Sequence, residues 1–213
     1  MLRIFVAGIG TGVGKTLTSA ILCEALGADY WKPIQSGTIE SCDSETVRGL
    51  LSNSQSRVHP ETYRLSAPLS PHAAAAAEGL TIDPEKIILP VTTNSLVVEG
   101  AGGVMTPVTS EFLLIDLIER LGCEVVLVSR NYLGSINHTL LTYEALERRR
   151  IPILGLIFNG VLNSASESLI REYTELSMIG RIDEESVIDR PRIAAYATKF
   201  KQALMFLHRR KSL

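Results

Sequence analysis

Residues 8–16 read Gly-Ile-Gly-Thr-Gly-Val-Gly-Lys-Thr and follow directly on the apolar run Leu2–Ala7. No other stretch restricts the fold as strongly. A strand that ends in glycines, then Lys-Thr, then a helical pattern is the layout of a phosphate-binding loop. The glycines let backbone N–H groups turn inward around a polyphosphate. Lys15 adds a point charge to that cradle, and Thr16 offers a hydroxyl to Mg²⁺. The helix that follows contributes its positive N-terminal end. The pattern predicts a nucleoside triphosphate as ligand. One spacing is unusual: five residues separate Gly8 from Gly14, where the common motif has four, and the extra glycines stand at 10 and 12.

The chain around this loop has 213 residues and a formal net charge of −2. That length favours one compact domain spanning 1–213. No run approaches the roughly 18 continuous apolar residues of a membrane helix, and the N-terminus enters a strand at once, which predicts no signal peptide. Cys23, Cys42 and Cys123 show no metal-ligand spacing, so reduced thiols in a cytoplasm are expected. The charge balance leaves no nucleic-acid footprint. The short basic clusters Arg148–Arg150 and His208–Lys211 read as helix C-terminal charges or a solvated tail.

Strand and helix patterns alternate along the whole chain. Strands are expected at Leu2–Ala7, Asp29–Ile34, Ser95–Glu99, Glu124–Ser129, Pro152–Asn159 and Leu176–Ile182. Helices are expected at Lys15–Leu26, about Asp43–Leu51, from Ser70-Pro71 through the alanines at 73–77, and at Leu113–Leu121, Ile136–Arg149, Ser164–Glu175 and Arg192 to about His208. Residues 52–62 read as loop. Such alternation predicts an α/β fold, a parallel central sheet with helices on both faces. In that architecture ligands lie outside the carboxyl ends of the strands.

Several polar residues fall just after a strand. Thr11, Lys15 and Thr16 follow the first, Lys32 and Ser36 the second, Glu99 ends Leu-Val-Val-Glu, and Asn159 ends Leu-Ile-Phe-Asn. Each has a plain reading beside the chemical one. Glu99 is either a Mg²⁺ ligand beside the phosphates or an acid capping a tight glycine turn. Asp43 is a helix N-cap, a metal ligand, or both. Lys32 is a catalytic ammonium or a surface lysine with a buried stem. His72 and His138 read as ordinary polar residues.

Taken together, Gly8–Thr16, Lys32-Pro-Ile-Gln-Ser36-Gly, Ser70-Pro-His, Val98-Glu-Gly-Ala-Gly-Gly103 and Gly134-Ser-Ile-Asn-His138 resemble the dethiobiotin synthetase family, in its order and at similar spacing, from residue 2 to about 160. The longer phosphate loop is part of the resemblance. It implies an ATP-dependent enzyme that joins CO₂ to 7,8-diaminononanoate and closes a ureido ring, giving dethiobiotin, ADP and phosphate. Carried over by motif, Gly12, Val13, Gly14, Lys15, Thr16, Leu17, Gly100, Ala101, Gly102 and Gly160 would touch ATP, and Asn159 would read adenine. Thr16, Asp43 and Glu99 would hold Mg²⁺, and Thr11, Lys15 and Lys32 would serve the chemistry. Ser36 would meet the substrate near its amines. The helix start Gly134, Ser135, Ile136 and Asn137 would bind the substrate carboxylate from the neighbouring subunit of a homodimer. Two departures stand out. Position 12 is Gly where relatives often carry an acid, and Asp183 follows Ile182 where a proline is usual.

Two other readings share the phosphate loop. A partition or septum-site ATPase switch would carry a second lysine early in the loop, where Ile9 and Gly10 stand, and would lack the Lys-Pro-Ile-Gln-Ser-Gly block. A cobyrinate-type amidotransferase would need a glutaminase domain, for which 213 residues leave no room.

Overall fold

A computed structural model describes residues 1–38 and 42–211 of the chain. Strand β1 (Arg3–Gly8) is buried from Ile4 to Gly8, and its side chains alternate between two cores. Phe5 and Ala7 face one, and Ile4 and Val6 face the other. An apolar run with no polar alternation requires this double covering.

The remaining elements follow in order: α1 (Lys15–Leu26), β2 (Asp29–Trp31), β3 (Ile34–Ser36), α2 (Asp43–Leu50), β4 (Tyr63–Leu65), α3 (Pro71–Ala77), β5 (Leu96–Gly103), α4 (Leu114–Leu121), β6 (Glu124–Arg130), α5 (Ser135–Arg148), β7 (Ile153–Asn159), α6 (Ser164–Thr174), β8 (Met178–Ile182) and α7 (Arg190–Lys211). The main sheet runs β2-β5-β1-β6-β7-β8, and every pairing in it is parallel. The chain winds first to one side of β1 and then to the other. The crevice at that reversal is where an open parallel sheet takes its ligand. Among the described residues no helix is long and apolar enough to cross a membrane.

The expected strand Asp29–Ile34 is two strands. β2 leaves the main sheet after Trp31, and β3 pairs instead with β4 in a small second sheet. Pro33 explains the break, because it cannot donate to a ladder and it restricts Lys32 before it. β4 lies just beyond the expected loop at 52–62, its three residues too short to announce themselves. β5 runs four residues past Glu99, to Gly103. The outer edge of β2 is covered by residues 57–59: Tyr30 N–H donates to the Arg57 carbonyl at 2.8 Å, and His59 N–H donates to the Tyr30 carbonyl at 2.9 Å. Asp29 anchors that cover, accepting from the Arg57 N–H at 3.0 Å and pairing with His59 at 2.8 Å.

The basic run at the end of α5 is structural, as Arg149 pairs with Asp116 and, at 3.1 Å, with Glu119. The side chains of His208–Lys211 lie outside the described residues. In β8, Gly180 lets α7 approach the sheet: a Cβ there would fall 2.1 Å from the ring of Phe200, which is buried in the core. Overpacking of this kind costs about 1–3 kcal/mol. Gly180→Ala is therefore expected to lower the urea midpoint by that equivalent at unchanged slope, and a midpoint equal to the parent's would show that α7 yields freely.

Candidate active site

The loop after β1 takes the shape its glycines dictate. Gly12 has φ +70° and Gly14 φ +100°, backbone that side chains rarely adopt. Gly14 meets a second constraint, since a Cβ on it would lie 2.2 Å from the Asn159 amide nitrogen. That amide donates to the Val13 carbonyl at 2.9 Å, so the end of β7 supports the loop from below. Lys15 Nζ donates to the Gly10 carbonyl at 2.7 Å, and α1 begins at Lys15.

Four residues from separate parts of the chain converge beside it. Thr16 Oγ1 lies 2.8 Å from Asp43 Oδ1 and 2.9 Å from Glu99 Oε1. Lys32 Nζ bonds Asp43 Oδ2 and lies 3.1 Å from Glu99 Oε1. All four, with Lys15, line a cleft of about 760 Å³. Thr16 comes from the start of α1, Lys32 from just past the end of β2, Asp43 from the first turn of α2 and Glu99 from β5.

Asp43 is not the N-cap of its helix; Cys42 holds that position. The carboxylate turns away from the helix backbone toward Thr16 and Lys32. Its own N–H donates to Gln35 Oε1 at 3.0 Å. Ser70 stands at the N-cap of α3 without a side-chain bond to the helix, because its hydroxyl pairs with His72 Nδ1 at 3.1 Å. His138 likewise pairs locally, with the Tyr132 hydroxyl at 2.8 Å.

Burial sets the electrostatics. It pushes the Lys15 ammonium down to about 8, a fall that Glu99 opposes and Lys32 reinforces. Burial would lower Lys32 too, but the charges of Glu99 and Asp43 outweigh it and hold the group above the ordinary lysine range. Burial would raise Asp43, yet Lys32 and the hydrogen bonds around it keep the carboxyl below its ordinary range. A triphosphate favours charged Lys15, and the free protein loses that charge as pH rises through about 8. Nucleotide affinity should accordingly be flat below that pH and fall by about tenfold per unit above it. Titration with a fluorescent ATP analogue between pH 6.5 and 9.5 checks this, and a level profile would remove Lys15 as the controlling group.

Other expected contacts lie in the same cleft: Thr11, Gly12, Gly14, Leu17, Ser36, Ala101 and Gly102. The Ser36 hydroxyl is buried and has no partner among the described residues. Val13 is buried beneath the loop, and a Cβ on Gly100 would fall 2.8 Å from the Phe5 ring and 3.1 Å from Leu114. Gly160 begins the turn after β7, where its carbonyl accepts from Arg181. Gly134, Ile136 and Asn137 line a separate concavity of about 690 Å³, so within one chain the helix start does not join the cleft. Ser135 is buried in the first turn of α5.

Several neighbours escaped the sequence. The Tyr30 hydroxyl donates to Glu99 Oε2 at 2.9 Å. Its position two residues before Lys32 puts both on one face of an extended segment, which was a readable signal. Arg130 donates to the Gly12 carbonyl at 3.1 Å. Glu167 Oε1 accepts from Asn131 Nδ2 and Arg181 Nη1, both at 2.6 Å, joining the ends of β6 and β8. No motif marks that part-buried triad.

A parallel sheet with a glycine loop between β1 and α1, and a lysine, a threonine and two carboxylates at its mouth, defines a P-loop nucleotide-binding protein. Residues 2–192 match the family model described as an AAA domain. The chain belongs to the ATP-dependent dethiobiotin synthetases, ligases of biotin biosynthesis. It is 46% identical to the synthetase of Christiangramia forsetii across 94% of this chain and 96% of that one, and 48% identical to that of Cytophaga hutchinsonii across 93% and 97%. Among solved structures, a ParA family ATPase from Chlorobium tepidum superposes with a TM-score of 0.58 at 12% identity, covering 97% of this chain and 98% of that one. That likeness is one of fold alone.

Proposed function

We propose that this chain uses ATP and Mg²⁺ to carboxylate 7,8-diaminononanoate with CO₂ and close the ureido ring, giving dethiobiotin, ADP and phosphate. One observation carries the reading. Thr16 and Lys32 each bond both Asp43 and Glu99, so that four separate parts of the chain meet beside Lys15 at the glycine loop. A stability role explains this poorly, because burying Glu99 and Lys32 beside a part-exposed Asp43 costs desolvation that a hydrophobic core would avoid.

The residues fit a Mg²⁺ ion. Hard oxygen donors suit it, and it takes one or two carboxylates with phosphate oxygens and water. Thr16 Oγ1, Asp43 Oδ1 and Glu99 Oε1 are already drawn to one point. When bound, the ion neutralises phosphate charge during transfer. An amine of the substrate first captures CO₂ as a carbamate, releasing a proton. The carbamate oxygen attacks the γ-phosphorus of ATP and ADP leaves, forming a carbamic–phosphoric anhydride. The second amine attacks the carbonyl carbon, phosphate departs, and the nitrogen loses its extra proton. Every stage is anionic, so the chain needs no nucleophile of its own. Lys15 and the loop amides face the phosphates, and Lys32 faces the carbamate and the group being transferred. The Ser36 hydroxyl, unpartnered among the described residues, would meet an amine.

The far carboxylate of the diamine would meet the N–H groups at the start of α5. Because Gly134–Asn137 lie outside the cleft, that end is assigned to a second copy of the chain. Exposed apolar Leu133, Val161 and Leu162 beside the second concavity support a contact there. Asn159 keeps its carbonyl oxygen for adenine while its nitrogen holds Val13.

A coupled ADP assay with ATP, Mg²⁺, bicarbonate and the diamine tests the proposal. Diamine-dependent ADP release is expected. Turnover indifferent to the diamine but raised by DNA or lipid would replace it with an ATPase switch. In the same assay Glu99→Gln should raise the Mg²⁺ needed for half-maximal rate by at least about tenfold, the scale on which metal sites respond to altered ligand shells. An unchanged Mg²⁺ titration would take Glu99 out of the metal site.

A further inference from the structure

The arrangement of charges at the cleft floor raises a question of order. Two carboxylates, Asp43 and Glu99, stand close enough to share the Thr16 hydroxyl. Glu99 is 1% exposed, so water screens it little, while the Asp43 side chain keeps 28% of its surface toward the cleft mouth. Left alone, they would form a strong trap for any divalent cation. They are not alone, because Lys32, itself 5% exposed, bonds both of them at once. The ammonium supplies the positive charge that the buried pair needs. It also stands against the oxygens a metal would use, since Glu99 Oε1 is shared by Thr16 and Lys32.

We infer that Lys32 is the resident counter-cation of the metal site, closing it to a bare divalent ion and yielding it to a metal–triphosphate complex. This rests on the proposed function and adds to it an order of events. A free cation meeting the site must displace a buried ammonium, which then has no anion to turn to. With a metal delivered on a triphosphate, Asp43 and Glu99 would hold the ion, and the Lys32 ammonium, released from them, would turn to the phosphate and carbamate oxygens in the same cleft. No buried charge is left unpaired at either stage. Metal-free nucleotide cannot make the exchange, because Asp43 and Glu99 would then be stranded without a cation. Lys32 is thereby withheld from the transfer chemistry until the metal is in place.

The test uses Mn²⁺ and full-length protein without nucleotide, read by electron paramagnetic resonance. The parent is expected to bind Mn²⁺ weakly. Lys32→Met, close in shape and uncharged, should bind it at least about tenfold more tightly, as expected when a competing charge is removed. Lys32→Arg keeps the charge and should stay near the parent. Parent and Lys32→Met affinities within twofold would overturn the inference. A second measurement covers the case in which the methionine variant does not fold. In parent protein with ¹³C-labelled lysine, the Lys32 side-chain signal, assigned by its loss in Lys32→Arg, should shift with Mg²⁺ and a non-hydrolysable ATP analogue but not with the analogue in EDTA. An equal shift in EDTA would refute the ordered exchange. Diamine-dependent ADP release by the parent is measured separately, so loss of the exchange and loss of the enzymatic assignment are distinct results.

Discussion

Lys32→Ala lowers turnover by about 10²–10³, the usual range for removing one preorganised charge-stabilising donor from a reacting centre, while affinity for Mg·ATP changes by less than about tenfold. The split follows from where the lysine sits. It touches Asp43 and Glu99 and no atom of the glycine loop, whereas Lys15 is tied to that loop through Gly10. In the proposed mechanism the ground-state hold on the triphosphate would then rest mainly on Lys15 and the loop amides, and Lys32 would act chiefly on charge that develops when the phosphoryl group moves and when the ring closes. Single-turnover ADP formation beside equilibrium nucleotide titration separates the two quantities. A variant that turns over at near-normal rate would remove Lys32 from the chemistry, whatever its nucleotide affinity.

The second large effect concerns two broken chains that repair each other. Gly134 has φ +100° at the N-cap of α5, so Gly134→Val strains the turn that presents the helix N–H groups. It should abolish binding of the diamine carboxylate as Lys32→Ala abolishes turnover. If each site takes its cleft from one protomer and its helix start from the other, a mixed dimer carries one site free of both defects. Equal mixing of the inactive proteins should then restore about one quarter of parental activity, half the dimers being mixed and half their sites intact, in a two-fold symmetric assembly. Activity that stays at the sum of the two separate variants would confine each site to one chain.

The fold and much of the cleft are legible in the residues themselves. Strand β1, its glycines and Lys15-Thr16 announce one another within fifteen residues. The run Leu-Val-Val-Glu places Glu99 on a buried strand by apolar length alone, although the strand does not end there but continues to Gly103. Lys32 is legible only in part: the sequence marks it as out of place after a strand, but the departure of β3 into a second sheet depends on pairing with Tyr63–Leu65, 27 or more residues away along the chain. Asp43 shows the opposite difficulty. A carboxylate at a helix start has an adequate local explanation, and only the tertiary position of Thr16 and Lys32 overrides it. The Glu167, Asn131 and Arg181 triad joins the first turn of α6, the residue after β6 and strand β8, distant in sequence and unremarkable in composition, so no spacing rule could have found it.

The covering of β2 by residues 57–59 has a consequence for self-association. Exposed strand edges are templates on which other chains add strands. Here the backbone groups of Tyr30 are already paired, and Asp29 pins the pairing segment in place. The border of the sheet next to Lys32 is thus unavailable as a seam between molecules. Crowding in a concentrated solution cannot extend the sheet on that side and drag Lys32 out of register. Under the proposed dimer, copies of this chain would meet through other surfaces, and the exposed apolar residues beside the start of α5 offer one.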